Sequence, residues 1–303
     1  MKGIFRSVVF AIFVLALLFP GSVVAGEKDL VVGGKDYTEQ ILLSELAYIL
    51  LDQAGFDVTL KTGVGTAIAR KSLENAQTDL YYEYTGTAYT LFYKQDDKEI
   101  MTVPEKVYEW VKNADAKKDL VWLDPVKFND TYTIMMKKAQ ADKLGIKTIS
   151  DLGVYVAKNP DKLIFALDSE FLERPDGFKS VMKTYGFSLP YKQIKKMSIG
   201  LTYQALKDGQ VNCAMGFSTD GRIAAFGFVN LEDNKKFFPV YNPSPVVRKE
   251  IIDEYPQIRE ILKPIAENLT TTDMQGLNKA VDVDHRQVHE TAMDWLKNKN
   301  LIK

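Results

Sequence analysis

Residues 30–62 read LVVGGKDYTEQILLSELAYILLDQAGFDVTLKT, and the order of their parts sets the fold class. LVVGG (30–34) is a short β-rich run closed by glycines. Across 38–55 the apolar residues Leu42, Leu46, Ile49 and Leu50 recur at i, i+4, i+7 and i+8, which is one face of a helix. Thr38 is placed as its N-cap and Gly55 as its C-terminal stop. DVTLKT (57–62) then returns as a strand. GVGT (63–66) turns into a helix over AIARKSLENAQ, and DLYYEY (79–84) is the next strand. A β-α-β-α-β order implies a mostly parallel sheet with helices on both faces.

The pattern restarts in the middle of the chain. NDTYTIMM (129–136) reads as a strand, KTISDLGVYVAKNP (147–160) as a short helix and KLIFALD (162–168) as a strand. ERPDGFKSVMKTYG (173–186) reads as a helix with its proline in the first turn. LTYQALKDGQ (201–210) is helical and VNCAMGF (211–217) a strand. After about residue 237 come VYNPSPVVRKE and then helices to Lys303. The chain is therefore α/β, built from two units.

The first 25 residues are a different kind of segment. Lys2 and Arg6 precede an apolar run from Val8 to Phe19, broken by Pro20 and Gly21, with small residues before Gly26. That is the pattern of a secretory signal peptide, residues 1–25, cut after Ala25. The run is shorter than the ~20 residues a spanning helix needs. No second long apolar run follows, so the mature protein is expected to be exported and soluble. Cys213 is the only cysteine, which leaves no internal disulfide. A formal net charge of −1, with no block of one sign, argues against a nucleic-acid partner.

Motifs for chemistry fail. GVGTAI lacks the third glycine of a dinucleotide fingerprint. GFSTDG (216–221) approaches the G-x-S-x-G elbow but has Asp where the second Gly belongs. Ser218 as a nucleophile would need a histidine base, and the only two, His285 and His289, stand far along, at i, i+4 in the last helix. An exported hydrolase is thus the weaker reading, and no metal or cofactor is expected. What remains is binding. Tyr37, Tyr84, Tyr132 and Tyr241 stand at strand ends or in the following loops, where open α/β sheets hold their ligands. Aromatic rings converging there suit a cation with no N–H to donate. On the residues alone, ordinary half-buried tyrosines explain them as well.

GGKDYTEQ (33–40), YEYTGT (82–87), EFLERPDG (170–177), GLTYQALKDGQV (200–211) and FSTDGRI (217–223) together resemble the glycine betaine/choline/carnitine-binding proteins of osmoprotectant ABC importers. The resemblance runs in order over essentially the whole mature chain. It implies a two-domain periplasmic-binding-protein fold, type II-like, with two interdomain crossings that act as a hinge. Domain I would comprise 27–127 plus 238–303, and domain II 128–237. It further implies an aromatic cage of Tyr84, Tyr132, Phe217 and Tyr241, with the carbonyl of Asp130 facing the cation. Family members usually carry Tyr before STDG, so Phe217 keeps the ring face and loses a hydroxyl. A carboxylate clamp falls on Lys35, Thr87 and Arg174, with Glu170 orienting the guanidinium. The implied partners are a small quaternary ammonium solute and the ABC permease and ATPase complex at the inner membrane. The implied protein is a periplasmic monomer and not an enzyme. The same fold binding an amino acid or another zwitterion is the runner-up.

Overall fold

The computed structural model describes residues 29–303; the expected signal peptide lies outside the described residues. Among the described residues ten strands form two sheets. In chain order they are β1 (Asp29–Lys35), β2 (Asp57–Val64), β3 (Leu80–Tyr84), β4 (Leu120–Trp122), β5 (Tyr132–Lys137), β6 (Phe165–Leu167), β7 (Ile194–Lys196), β8 (Cys213–Phe217), β9 (Phe228–Asn230) and β10 (Pro243–Arg248). The first sheet runs β2-β1-β3-β10-β4 and the second β7-β6-β8-β5-β9. Each sheet with its helices is one lobe.

The opening β-α-β unit forms as its sequence dictates. β1 pairs parallel with both β2 and β3. The helix Thr38–Gln53 connects β1 to β2, and Gly55 ends it at φ +86°, a conformation open to glycine at little cost. Its start differs from expectation by one residue. Tyr37 is the cap, and the Thr38 hydroxyl donates instead to Asp282 Oδ1 at 2.6 Å. The helix is also buried on more than one face: Leu43, Ala47 and Leu51 are as buried as Leu42 and Leu46. The C-terminal helices Ile258–Asn268, Thr271–Asp282 and Val288–Asn298 pack against it.

Both sheets are mixed rather than mostly parallel. β10 runs antiparallel to β3 and β4, and β5 antiparallel to β8 and β9. The chain passes between the sheets twice, over 123–131 and 231–242. The two passages are tied side by side: Asp130 N donates to Tyr241 O (3.0 Å), Tyr241 N to Asn129 Oδ1 (2.8 Å), and Asn242 Nδ2 to Phe128 O (2.6 Å).

Two further expectations are corrected. ERPDGFKSVMKTYG is not one helix. Ser169–Glu173 is a short helix that ends at Arg174, Pro175 and Asp176 lie in the link, and a second helix spans Phe178–Tyr185. Arg174 has extended backbone (ψ 149°), as the residue before a proline favours. His285 does not share a helix with His289. It sits before that helix at φ +57°, while His289 Nδ1 lies 2.6 Å from Glu45 Oε1. Among the described residues no helix is long and apolar enough to cross a membrane.

Candidate functional site

Between the lobes lies a cleft lined by all nine residues singled out from the sequence: Lys35, Tyr84, Thr87, Asp130, Tyr132, Glu170, Arg174, Phe217 and Tyr241. They come from both sheets and both crossings. Strand alternation in β3 does the first sorting. Tyr82 packs into the core beneath the helix Thr38–Gln53, Tyr81 into the opposite core, and Tyr84 emerges at the strand's end into the cleft. Glu83 shares Tyr81's face and is fully buried. Its carboxylate accepts from Tyr81 Oη (2.7 Å), the Tyr84 N–H (2.7 Å) and Lys35 Nζ (2.7 Å). Lys35 therefore enters the cleft with its own counter-ion, and spends one of its three donors on it. The ammonium also lies 5.0 Å from the centroid of Tyr84.

Arg174 is the other cation. Nε and Nη2 grip Asp176 side-on, at 2.8 Å to Oδ1 and 2.7 Å to Oδ2. Nη1 donates to Glu170 Oε1 at 3.0 Å, and Nη2 reaches Thr87 Oγ1 across the lobes at 3.3 Å. Asp176 also accepts from Tyr241 Oη (2.5 Å) and Thr90 Oγ1 (2.8 Å). Burial alone would raise the Asp176 carboxyl; Arg174, Tyr241 and Thr90 together bring it below the usual carboxylate range. Glu170 does orient the guanidinium, but Asp176 holds it more fully and was missed. Its signal was in EFLERPDG, an acid two residues beyond the arginine across a proline turn.

The aromatic wall is continuous. Tyr132 stands at its centre, with ring centroids 5.1 Å from Phe217, 5.6 Å from Tyr241 and 4.7 Å from Phe171 behind it. Tyr37 completes the wall, stacked 5.1 Å from Phe217 and 6.4 Å from Tyr84. Its place at a strand end marked Tyr37 among the tyrosines, but it was not assigned to the cage. Gly86 explains the glycine of YEYTGT. A Cβ there would stand 2.7 Å from Tyr241 Cδ1 and 2.8 Å from Val240 O, so only glycine lets that ring lie against the chain. Burial pushes the phenols of Tyr37, Tyr84, Tyr132 and Tyr241 well above their ordinary range, so the wall is neutral at any physiological pH.

The floor is acidic. Asp130 turns its carboxyl to Thr219, whose hydroxyl donates to Oδ1 at 2.5 Å, and Glu39, lining the same small cavity, takes the Tyr84 hydroxyl at 2.8 Å. Asp168 caps the short helix Ser169–Glu173, accepting from Phe171 N (2.6 Å), and burial pushes it up to about 6. Ser218 is spoken for: its hydroxyl donates to Asn129 O (3.0 Å) and accepts from Thr131 N (3.2 Å). That is a structural brace between β8's end and a crossing rather than a nucleophile beside a base. The free space between the cleft side chains is about 40 Å³.

Two α/β lobes joined by paired crossings, closing on a small cleft walled by neutral rings and two pre-paired cations, define a solute-binding protein. Comparison with known proteins narrows the class. Residues 28–298 match the family described as the substrate binding domain of an ABC-type glycine betaine transport system, and the chain belongs to that family. It is 37% identical to the glycine-betaine-binding protein of Pseudomonas aeruginosa, over 92% of this chain and 90% of that one. It is 34% identical to the ergothioneine transport permease/ergothioneine binding protein EgtU of Helicobacter pylori, over 91% of this chain and 48% of that longer one. Among solved structures, a glycine betaine/carnitine/choline ABC transporter protein superposes with a TM-score of 0.72 at 29% identity, covering 90% of this chain and 99% of the other. The expected two-domain binding-protein fold is the one found.

Proposed function

We propose that the protein captures a small quaternary ammonium solute of the glycine betaine, choline or carnitine type and delivers it to an ABC permease and ATPase complex at the inner membrane. The observation that carries this is the neutral aromatic wall of Tyr37, Tyr84, Tyr132, Phe217 and Tyr241 set between Lys35 and Arg174. A trimethylammonium group has charge and no N–H, so ring faces satisfy it where carboxylates would favour lysine-like amines. Each desolvated ring contributes about 0.5–2 kcal/mol. The remaining donors of Lys35, Thr87 and Arg174 then meet the carboxylate of a betaine or carnitine; choline, which has none, uses only the rings.

Capture works by hinge motion of domain I (27–127 plus 238–303) against domain II (128–237). A space of about 40 Å³ holds roughly three water-sized bodies at ~10–15 Å³ each, so a solute enters only as the lobes part. Closure then remakes contacts such as Thr90 to Asp176 (2.8 Å) and Arg174 to Thr87 (3.3 Å), which cross from lobe to lobe. The protein works as an exported, periplasmic monomer and catalyses nothing. Titration calorimetry with glycine betaine, choline, carnitine, ergothioneine and lysine tests this reading. Saturable binding of at least one methylated ammonium, with none for lysine, is expected. Heat from lysine alone would favour an amino-acid ligand, and silence from the whole panel at millimolar concentration would end the proposal.

A further inference from the structure

Two buried carboxyl groups at the cleft floor are used by neither cage nor clamp. Glu39 stands in the first turn of the helix Thr38–Gln53, in the first lobe, and Asp130 near the end of the crossing that enters the second; each is 3% exposed. Both line the same small cavity where the lobes meet, together with Tyr37, Thr219 and Asn278. Glu39 Oε1 is served by Tyr84 and Asp130 Oδ1 by Thr219, but Glu39 Oε2 is buried and receives no N–H or hydroxyl donor. Two ionised carboxylates facing one buried cavity would repel each other and leave that oxygen unpaired, and a proton on one of them relieves both.

Among the described residues the nearby cations are bound elsewhere. Lys35 is bound to Glu83, and Arg222 of the second lobe is bound to Asp220 (2.5 Å) and to Asp282 of the helix Thr271–Asp282 (3.2 Å). Asp220 acts directly on Asp130 and makes ionisation there harder. The phenols Tyr37, Tyr84 and Tyr203 face the pair uncharged, and the charge of His285 acts on Asp282. Burial raises Glu39 to about 7 against the hydrogen bonds that lower it, and burial followed by the Glu39 charge raises Asp130 well above the usual carboxylate range. Their protons belong to the pair rather than to either residue. The junction around them is tight. Asn278 Nδ2 of the first lobe donates to Thr219 O (3.1 Å), and a Cβ on Gly221 would stand 2.5 Å from Gln275 O.

We propose that Glu39 and Asp130 hold one proton between them where the lobes meet, and that solute capture is tightest when that proton is present. Parting the lobes wets both carboxyls and lowers their hold on the proton; closing strips the water away and takes the proton up. The capture half of this rests on the cleft being the solute site; the shared proton itself does not. The sign follows from a carboxyl held above its unfolded value. The folded, closed form binds more protons, so stability and affinity are greatest on the acid side. Both fall as pH rises from about 4.5 through about 7.

Two measurements on the wild type and on Glu39→Gln test it. The amide carries a permanent N–H to Asp130 in place of the shared proton. In thermal melting without solute from about pH 5 to 8, the wild type should lose ground steadily to Glu39→Gln. A constant gap would overturn the shared proton. In calorimetry with glycine betaine, in two buffers of different ionisation heat at pH 7, the wild type should take up a fraction of a proton per solute bound. Its affinity should fall about tenfold between pH 6 and 8, and the Glu39→Gln slope should be much flatter. Equal slopes, or no uptake by the wild type, would overturn the link to capture. If no methylated ammonium binds while the melting gap grows, the solute reading fails and the shared proton stands.

Discussion

Two buried arginine–aspartate pairs in this molecule have almost the same burial and opposite consequences. Arg70 and Asp115 meet end-on, with Nη1 2.8 Å from Oδ2 and Nη2 2.6 Å from Oδ1. Nε is spent on Glu74 at 2.8 Å, and Asp115 also collects Tyr93 Oη (2.5 Å) and Trp122 Nε1 (2.7 Å). Every edge of that guanidinium is consumed inside the first lobe, so the pair is a knot in the scaffold. Arg174 and Asp176 meet side-on, through Nε and one Nη2 proton. The end of that fork faces the cleft, held only by Glu170 and Thr87. The orientation of a fork thus separates a cation that serves folding from one free to serve a ligand, even where burial and partner type do not.

Substitutions should separate the two pairs. Asp115→Ala leaves Arg70 buried without its main partner, and about 3–5 kcal/mol of stability should be lost. Melting should drop by about 10 °C, at roughly 2–4 °C per kcal/mol, while glycine betaine affinity stays within a factor of about two. A large affinity loss there would mean that the first pair is no mere scaffold. The double change Arg174→Gln with Asp176→Asn removes the cation and its counter-ion together. Betaine and carnitine should weaken about 10–100-fold, the worth of a charge-assisted bond, and choline by less than about threefold. An equal loss for all three would place the carboxylate elsewhere.

The aromatic wall should respond without regard to the carboxylate. Tyr132→Leu keeps apolar bulk in a position only 7% exposed but deletes the central ring face. About 2 kcal/mol, or roughly thirtyfold, should be lost for betaine and choline alike, read by calorimetry. Phe217→Tyr is the mildest test. Its ring already stacks on Tyr37 at 5.1 Å, so a restored hydroxyl should change affinity by less than about threefold. A larger gain would show that the missing hydroxyl sets ligand preference.

Much of this was legible in the sequence, and the parts that were not have physical causes. The β-α-β order of 30–84 needed only period and position, whereas the residues brought to the cleft came from the motifs that carry the family resemblance. Strand β10 was hidden by Pro243 and Pro245, which ordinarily argue against a central strand. Their carbonyls accept from Val126 and Leu123 N–H, on the side where a crossing segment rather than a regular strand runs, so the missing donors are not called upon. Asp176 and Glu39 were passed over because an acid beside a proposed carboxylate site looks unhelpful by charge. Only the geometry reveals that one steers Arg174 and the other shares a buried cavity with Asp130.

The central claim is that neutral rings, rather than the paired charges, select the ligand. Glycine betaine and glycine share a carboxylate and a backbone and differ by three N-methyl groups, so calorimetry of the two on the wild-type protein tests it most directly. Glycine betaine is predicted to bind at least about a hundredfold more tightly, from several rings at ~0.5–2 kcal/mol each. Comparable affinities, or a preference for glycine, would contradict the account.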